Sequence, residues 1–242
     1  MNKVIHYCWF GRNPLPDSAK RCIASWKKYF PDYEIKEWNE DNYDVNKILY
    51  TRQAYSVGKY AFVSDYARFD ILYHEGGIYF DTDVEVIKSF RDIISEGPFM
   101  GCEINGNEEK GIAVNPGLGI ASDSGHEIYR SLLEHYKKLS FINEDGTLNN
   151  TTIVYYTTEL LFRFGLHDVS GIQDIEGIKI YPKDYFCPYD YRNGVLTKTC
   201  NTHSIHWNSM TWATKRQLAR SKVTRVFHKL FGNDCFSFLK RK

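Results

Sequence analysis

Long apolar runs, internal repeats and low-complexity stretches are all absent from this chain of 242 residues. Without an apolar run of about 20 residues, the sequence offers no transmembrane helix. Residues 1–6 lead directly into a strand pattern and lack the apolar segment of a secretory signal, so we expect a cytoplasmic protein.

Closely spaced cysteine pairs are also missing. The six cysteines are scattered and none forms a C-x-x-C pattern, which argues against a zinc ribbon or a disulfide scaffold and predicts reduced, mostly structural thiols. What the chain does have is apolar material: 43% of its residues are hydrophobic and 16% are aromatic. That content is ample for the core of one folded domain.

Strand and helix patterns alternate along most of the chain. Predicted strands cover 4–9, 33–38, 78–80, 84–87, 99–103 and 118–121, and predicted helices begin near Pro16 and cover 60–75, 127–139 and 158–164. This alternation predicts an α/β domain with a mainly parallel central sheet flanked by helices. Ligands of such sheets bind beyond the carboxyl ends of the strands, where Trp9 and Asp81 both lie.

The acidic pair Asp81 and Asp83 follows the apolar strand 78–80, which Gly76 and Gly77 separate from a helix. Alternate side chains of an extended chain point to one side, so both carboxylates are expected to face the same way. A hard divalent cation, Mn²⁺ or Mg²⁺, would relieve their repulsion and leave contacts for substrate phosphates. Two aspartates in a turn are also common as plain solvated surface.

A second charged pair, Asp65 and Arg68, lies three residues apart in the largely apolar helix 60–75. The two side chains can simply pair with each other on the helix surface. A charged pair in so apolar a helix, however, more often marks a functional site. In that case Arg68 holds a phosphate or a sugar hydroxyl, and Asp65 orients Arg68 or a hydroxyl.

These motifs resemble the DXD-containing glycosyltransferases of family 32. The group is related to yeast initiating mannosyltransferases and bacterial capsule and O-antigen transferases, and more distantly to the glucosylating domains of large clostridial toxins. Four segments carry the resemblance, at 3–11, 64–83, 115–126 and 181–212, and together they span most of the chain. The resemblance implies a GT-A-type nucleotide-sugar-binding fold.

The resemblance also implies three sets of site residues. The catalytic residues that it implies are Asp65, Arg68, Asp81 and Asp83. The substrate-binding residues that it implies are His6, Trp9, Asp65, Arg68, Asn115, Thr211 and Trp212. Among them, Trp9 would stack on the nucleoside base. The metal ligands are Asp81, Asp83 and His206. Ordinary core packing is the alternative for Trp9, and a satisfied buried histidine is the alternative for His206.

Two positions depart from the family pattern in the closing segment. The family commonly has His-His followed by Ser-Trp, whereas this chain has His206-Trp207 followed by Thr211-Trp212. The hydroxyl is kept in Thr211, but the second histidine is replaced. His206 is therefore the one histidine of this segment that the resemblance assigns to the metal or the diphosphate.

The resemblance predicts a metal-dependent, retaining glycosyltransferase. It would move a sugar from a nucleoside diphosphate sugar, a UDP-sugar in our hypothesis, to a hydroxyl of a surface or capsular polysaccharide precursor, a glycan or a lipid-linked oligosaccharide. No nucleophile stands out, and Asp65, Asn115 and Glu159 all remain candidates. A non-catalytic binding protein of the same fold is one alternative. A metal-dependent phosphohydrolase is another, although it would require more acids and histidines.

Charge is distributed unevenly along the chain. Residues 213–242 contain nine Lys and Arg against one Asp, so their net charge is +8 and that of residues 1–212 is −7. We therefore divide the chain into a catalytic domain, 1–212, and a basic amphipathic tail, 213–242. The tail is typical of a helix on anionic lipid at the inner face of the cell membrane, although a terminal helix packed on the domain fits equally. No nucleic-acid motif accompanies it, and no nucleic-acid partner is expected.

Overall fold

Short strands and helices alternate along residues 1–109, 111–209, 224, 225 and 227, which are those that this computed structural model describes. The strands are β1 (Val4–Cys8), β2 (Glu34–Trp38), β3 (Gly77–Tyr79), β4 (Val84–Val86), β5 (Phe99–Ile104), β6 (Ala113–Val114), β7 (Ile120–Ser122), β8 (Gln173–Ile175), β9 (Ile178–Tyr181), β10 (Tyr189–Asp190), β11 (Val195–Leu196) and β12 (Ser204–His206). The helices are α1 (Asp17–Tyr29), α2 (Leu49–Ser56), α3 (Tyr60–Glu75), α4 (Arg91–Ser95), α5 (Glu127–Lys137), α6 (Ile153–Arg163) and α7 (Lys183–Phe186), with a 3₁₀ turn at Pro116–Leu118. None of the described helices has both the length and the apolar character of a membrane span.

The central sheet has the strand order β2-β1-β3-β7-β5-β9-β8, and β6 pairs with β5. Strand β1 is parallel to β2 and β3, and β5 is parallel to β9. Strand β7 is antiparallel to both of its neighbours, and β8 is antiparallel to β9. Strands β2, β1, β3, β5 and β9 therefore run in one direction and end at a common edge. The predicted α/β class is confirmed.

Apolar side chains cover both faces of this sheet, because alternate residues of each strand point to opposite faces. Along β3, Ile78 joins a core cluster that contains Trp26 of α1, whereas the next residue, Tyr79, joins a cluster that contains Phe69 of α3. Helices α4 and α7 contribute to the first cluster, and α2, α5 and α6 contribute to the second. The sheet is thus flanked by helices on both sides, as predicted.

The glycine pair ends α3 and turns the chain into β3, as the sequence predicts. Gly76 and Gly77 have φ angles of 64° and 98°, which L side chains rarely adopt. A Cβ at Gly77 would lie 2.7 Å from the carbonyl oxygen of Val4. Glycine is therefore required here by both backbone conformation and space, and the acids that follow β3 begin from a fixed position.

Three local predictions were wrong. Helix α6 begins at Ile153 rather than 158, because the Thr152 hydroxyl caps its first turn by accepting a hydrogen bond from the N–H of Tyr155. The strand expected from 118 begins at Ile120, after the 3₁₀ turn that Asn115 caps. Residues 81–83 form a turn rather than an extended strand, so strand alternation does not explain how their two acids meet.

Candidate active site

Arg68 lies between two carboxylates at the carboxyl end of β3. Its Nη2 is 3.0 Å from Asp65 Oδ1, and its Nη1 is 3.2 Å from Asp81 Oδ1. Its Nε donates to the carbonyl oxygen of Ser64, and its Cζ lies 4.8 Å from the centre of the Tyr79 ring. Arg68 is only 3% exposed, so the pairing of Asp65 with Arg68 is buried beside Asp81 and is not an open surface pair.

Burial governs the electrostatics of this group. It raises the pKa of Asp65 to about 7, although the charge of Arg68 opposes that rise. Burial also acts to lower the pKa of Arg68, but the attraction of Asp81 and Asp65 outweighs this effect and the guanidinium remains charged. Asp81 accepts a further hydrogen bond from the Tyr79 hydroxyl at 3.1 Å. The carboxylate of Asp81 is thus oriented by two partners that precede it in the chain.

Asp83 has a separate set of partners, all from the far end of the domain. Its Oδ1 lies 3.0 Å from His206 Nε2, and its Oδ2 accepts hydrogen bonds from the N–H and hydroxyl of Ser209 at 2.7 and 3.0 Å. Strand β12 brings them there, because it pairs antiparallel with β4 and sets His206 opposite Val84.

Asp83 and His206 shift each other's protonation. Burial acts to raise the pKa of Asp83, but His206 and Ser209 together hold it well below its usual range. Burial acts to lower the pKa of His206, but the attraction of Asp83 outweighs it and the pKa is raised. Both shifts favour a charged pair in the absence of another cation.

Asp81, Asp83 and His206 form a cluster that fits a divalent cation. One ligand atom of each residue lies within 4.8 Å of the others. The other ring nitrogen of His206, Nδ1, is buried and has no hydrogen-bond partner among the described residues. Carboxylate oxygens are the ligands that Mg²⁺ and Mn²⁺ prefer, and imidazole nitrogen is a common ligand of transition metals. Asp81, Asp83 and His206 are therefore close to one another, as the resemblance implies.

Asn115 joins the same cluster through Gly117. Its Oδ1 accepts a hydrogen bond from the N–H of Gly117 at 2.7 Å, and a Cβ on Gly117 would clash with Asp81 Oδ2. The Nδ2 of Asn115 donates to Glu103 Oε2 at 2.8 Å. Sequence reasoning placed Asn115 at the site but missed Glu103, which comes from a segment with no recognisable motif.

His6 and Trp9, both assigned to the donor by resemblance, lie in different surroundings. The Nδ1 of His6 accepts from Trp38 Nε1 at 3.1 Å, so its Nε2 carries the proton and donates to the carbonyl oxygen of Gly76 at 3.0 Å. Because both nitrogens bind the protein and the ring is fully buried, the structure places His6 as a support of the glycine turn. Trp9 follows β1 and is partly buried, with its Nε1 donating to Asn13.

Three further positions named from the sequence are Glu159, Thr211 and Trp212. Glu159 is exposed on α6. Thr211 and Trp212 lie outside the described residues, as does the tail 213–242 apart from three of its positions. Their assigned roles stay predictions.

The segment that carries Arg68 and both acids has a recognisable family signature. Residues 16–100 match the family described as "Glycosyltransferase sugar-binding region containing DXD motif". The resemblance inferred from the motifs is thereby confirmed for this segment, which is similar to the sugar-binding region of that family.

Individual proteins agree with this class. The chain is 27% identical over 109 residues to inositol phosphoceramide mannosyltransferase 1 of Schizosaccharomyces pombe, a match that covers 40% of this chain and only 33% of that protein. It is 25% identical over 231 residues to an uncharacterized glycosyltransferase of Acanthamoeba polyphaga mimivirus, covering 90% of this chain and 86% of the relative. A solved glycosyltransferase involved in the glycosylation of the major capsid of PBCV-1 is similar over 91% of this chain and 98% of its own, with 11% identity and a TM-score of 0.46. The chain is thus similar to a glycosyltransferase over most of its length, and it spans about a third of the length of the yeast mannosyltransferase.

Proposed function

We propose that this chain is a metal-dependent, retaining glycosyltransferase of the GT-A type that takes its sugar from a UDP-sugar. The observation that supports the proposal most is the cluster of Asp81, Asp83 and His206, whose ligand atoms lie within 4.8 Å of one another at the edge where the parallel strands end. That edge is where ligands of α/β sheets bind.

In this proposal Asp81, Asp83 and His206 hold Mn²⁺ or Mg²⁺ beside the diphosphate of the donor. When bound, the cation supplies positive charge against the negative charge that develops on the departing diphosphate. Through Nε2, His206 would bind a cation only by giving up its pairing with Asp83, whereas Nδ1, which has no hydrogen-bond partner among the described residues, would bind without that loss.

Arg68 and Asp65, which lie next to Asp81, position the donor in this proposal. Arg68 is locked by Asp65, Asp81 and the Ser64 carbonyl, so its guanidinium is oriented before substrate arrives. Asn115 has one amide proton beyond its bond to Glu103 and is proposed to donate it to the substrate. Trp9, next to β2 at the end of β1, is proposed to stack on the uracil base.

The acceptor in this proposal is a hydroxyl of a surface or capsular polysaccharide precursor, free or lipid-linked, and the basic tail brings the enzyme to the cytoplasmic face of the membrane. Among the described residues of the tail, Arg225 contacts the domain, where its Nε donates to the carbonyl oxygen of Tyr191 at 3.1 Å. Full-length protein should sediment with vesicles that contain phosphatidylserine and not with pure phosphatidylcholine. Equal sedimentation with both, or with neither, would contradict the membrane role.

The donor and metal are tested together by a thermal-shift panel of UDP- and GDP-sugars with and without Mn²⁺. A ligand that binds only the folded state raises the melting temperature, and we expect a UDP-sugar to do so only with Mn²⁺. Asp83→Asn should abolish both this shift and the slow hydrolysis of the donor. Asp174→Asn, at an exposed Asp174–Lys179 pair, is the matched control and should keep both. Full hydrolysis by Asp83→Asn would refute the metal assignment.

A further inference from the structure

Exposed apolar side chains gather around the hairpin that β10 and β11 form. Five of them, each 36–44% exposed, are Tyr191, Val195, Leu196, Trp207 and Phe227, and we call this set the hairpin face. Single exposed apolar residues are ordinary on a protein surface, whereas a contiguous patch marks a contact with a partner or a membrane. The meaning of this set therefore depends on whether its members are neighbours.

Strand pairing and ring contacts join the members of the hairpin face that belong to the domain. Leu196 lies opposite Tyr189 in the antiparallel pair, so the two side chains share one side of the hairpin with their Cβ atoms about 5 Å apart. The ring of Tyr189 in turn lies 5.3 Å, centre to centre, from the ring of Trp207. Tyr191 begins the turn between the two strands, and Val195 follows that turn. These exposed residues thus lie around one hairpin and the indole that packs on it.

The basic tail is attached to the hairpin face through Arg225. The Nε of Arg225 donates to the carbonyl oxygen of Tyr191 at 3.1 Å. Gly194, whose φ is 76°, leaves room for the arginine side chain, because a Cβ there would lie 2.8 Å from Arg225 Cδ. Phe227 follows two residues later. The segment 213–242, with its net charge of +8, therefore meets the hairpin face at Arg225.

The charge of the hairpin has the same sign as that of the tail. Residues 189–198 contain Arg192, Lys198 and one acid, Asp190, which gives a net charge of +1. The carboxylate of Asp190 accepts hydrogen bonds from Nε and Nη2 of Arg192 at 3.0 and 3.1 Å, so its negative charge is compensated. Apolar and aromatic side chains among cations are the composition of a surface that binds anionic lipid.

A second copy of this chain fits the hairpin face less well. In a symmetric dimer the same patch of both subunits would meet, which would bring together two tails that each have a net charge of +8. Such like charges repel each other, whereas phosphatidylserine headgroups supply the opposite charge. The charge distribution therefore favours an anionic bilayer over a second copy.

We infer that the hairpin face lies on the surface of an anionic bilayer and that its apolar side chains enter the interface beside the basic tail. The inference rests on the membrane role of the tail in the proposed function. Trp207 directly follows the candidate metal ligand His206, and its N–H donates to the carbonyl oxygen of Asp83 at 3.0 Å. The candidate metal cluster would then lie close to the bilayer, where a lipid-linked acceptor is presented.

The test compares two double variants of the full-length protein for binding to vesicles that contain phosphatidylserine. Val195→Ser with Leu196→Ser removes two exposed apolar side chains from the hairpin face, and we expect the affinity for the vesicles to fall about 10-fold. Tyr155→Ser with Ile172→Ser is the matched control, because these side chains are 56% and 50% exposed elsewhere on the domain. We expect the control to bind the vesicles as tightly as wild type.

Trp207 reports whether the side of the face next to the metal cluster touches the bilayer. Vesicles with bromine-labelled acyl chains quench the fluorescence of a tryptophan that enters the interface. Subtracting the emission of Trp207→Phe from that of wild type isolates this indole, and we expect the difference to be quenched. An unquenched difference would contradict the inference.

The outcomes separate this inference from the proposals on which it rests. If wild type prefers phosphatidylserine but the hairpin variant binds the vesicles equally tightly, the hairpin face is refuted and the role of the tail stands. If wild type has no such preference, both fail. If the hairpin variant turns a dimer into a monomer in gel filtration with vesicle binding unchanged, the face joins two copies and the inference is overturned. The thermal shift with a UDP-sugar and Mn²⁺ should be the same in both double variants, which shows that they are folded, and its absence in wild type would refute the proposed reaction but not the bilayer contact.

Discussion

Asp81 and Asp83 are separated by one residue, yet they belong to two differently assembled regions of the molecule. The partners of Asp81, Arg68 and Tyr79, lie within 13 residues of it along the chain. The partners of Asp83, His206 and Ser209, lie more than 120 residues further on. We call residues 60–81 the local half of the site, and Asp83 with residues 204–209 the long-range half.

The two halves of the site are therefore assembled in different ways. The local half is one helix, a glycine turn and a short strand, and inside the domain its Arg68 pairs with two carboxylates. The long-range half exists only after β12 has docked on β4. We therefore expect substitutions in the local half to change folding stability most, and substitutions in the long-range half to change metal binding most.

The largest effect is expected for Arg68→Met in the local half. Removing a buried cation leaves Asp65 and Asp81 without it, and breaking a buried ion pair costs about 3–5 kcal/mol of the free energy of unfolding. Urea denaturation measures this loss. Arg130 pairs with Glu127 at the same three-residue spacing but is 58% exposed, so Arg130→Met should cost less than about 1 kcal/mol. Equal losses for the two variants would erase the distinction between a buried and a surface pair.

The next largest effect is expected for His206→Ala in the long-range half. Loss of a residue that only orients a metal ligand typically weakens metal binding about 10-fold to 100-fold. Loss of a nitrogen ligand itself should therefore weaken Mn²⁺ binding at least about 10-fold. Donor hydrolysis should then recover at high Mn²⁺ concentration, because both aspartates remain. His167→Ala, at an exposed position, is the control. A Mn²⁺ affinity unchanged by His206→Ala would remove His206 from the metal site.

The smallest effect concerns His6, which supports the turn of the local half. Burial holds its pKa below 6.5, so the unfolded chain binds more protons than the folded one below that pH. The stability that His6 contributes should therefore fall as the pH drops from about 6.5 toward the folded pKa, with a slope of at most about 1.4 kcal/mol per pH unit. The raised pKa values of Asp65 and His206 give slopes of the opposite sign. The difference between the unfolding free energies of wild type and His6→Gln isolates this contribution, and wild type should lose stability relative to the variant as the pH drops from 7 to 5. An equally steep profile in His6→Gln would assign the slope to other groups.

The contrast between the halves also explains what could be predicted from the sequence. Asp65 with Arg68, and the glycine pair before Asp81, lie at short spacings whose consequences follow from helix and turn geometry. The approach of His206 to the acids was expected from family resemblance, because nothing local reveals that β12 pairs with β4. Glu103 was missed, since a bulge in the pairing of β5 with β6 leaves no mark in composition or periodicity.

His6 illustrates a second limit of prediction from the sequence. Family resemblance assigned His6 to the donor, a role that stays a prediction, and in the structure the indole N–H of Trp38 donates to its Nδ1. That partner lies 32 residues away on the neighbouring strand, and only the parallel register of β1 with β2 brings the two rings together. Which buried histidines are satisfied by the protein is thus decided by strand pairing, not by residue type.

The most direct test of the account is an anomalous diffraction map from crystals soaked with Mn²⁺ and UDP. We expect a manganese peak within about 2.5 Å of carboxylate oxygens of Asp81 and Asp83 and of a ring nitrogen of His206, with the UDP diphosphate on its open side. A manganese peak elsewhere, or UDP bound with Asp83 and His206 still paired and no metal between them, would contradict it.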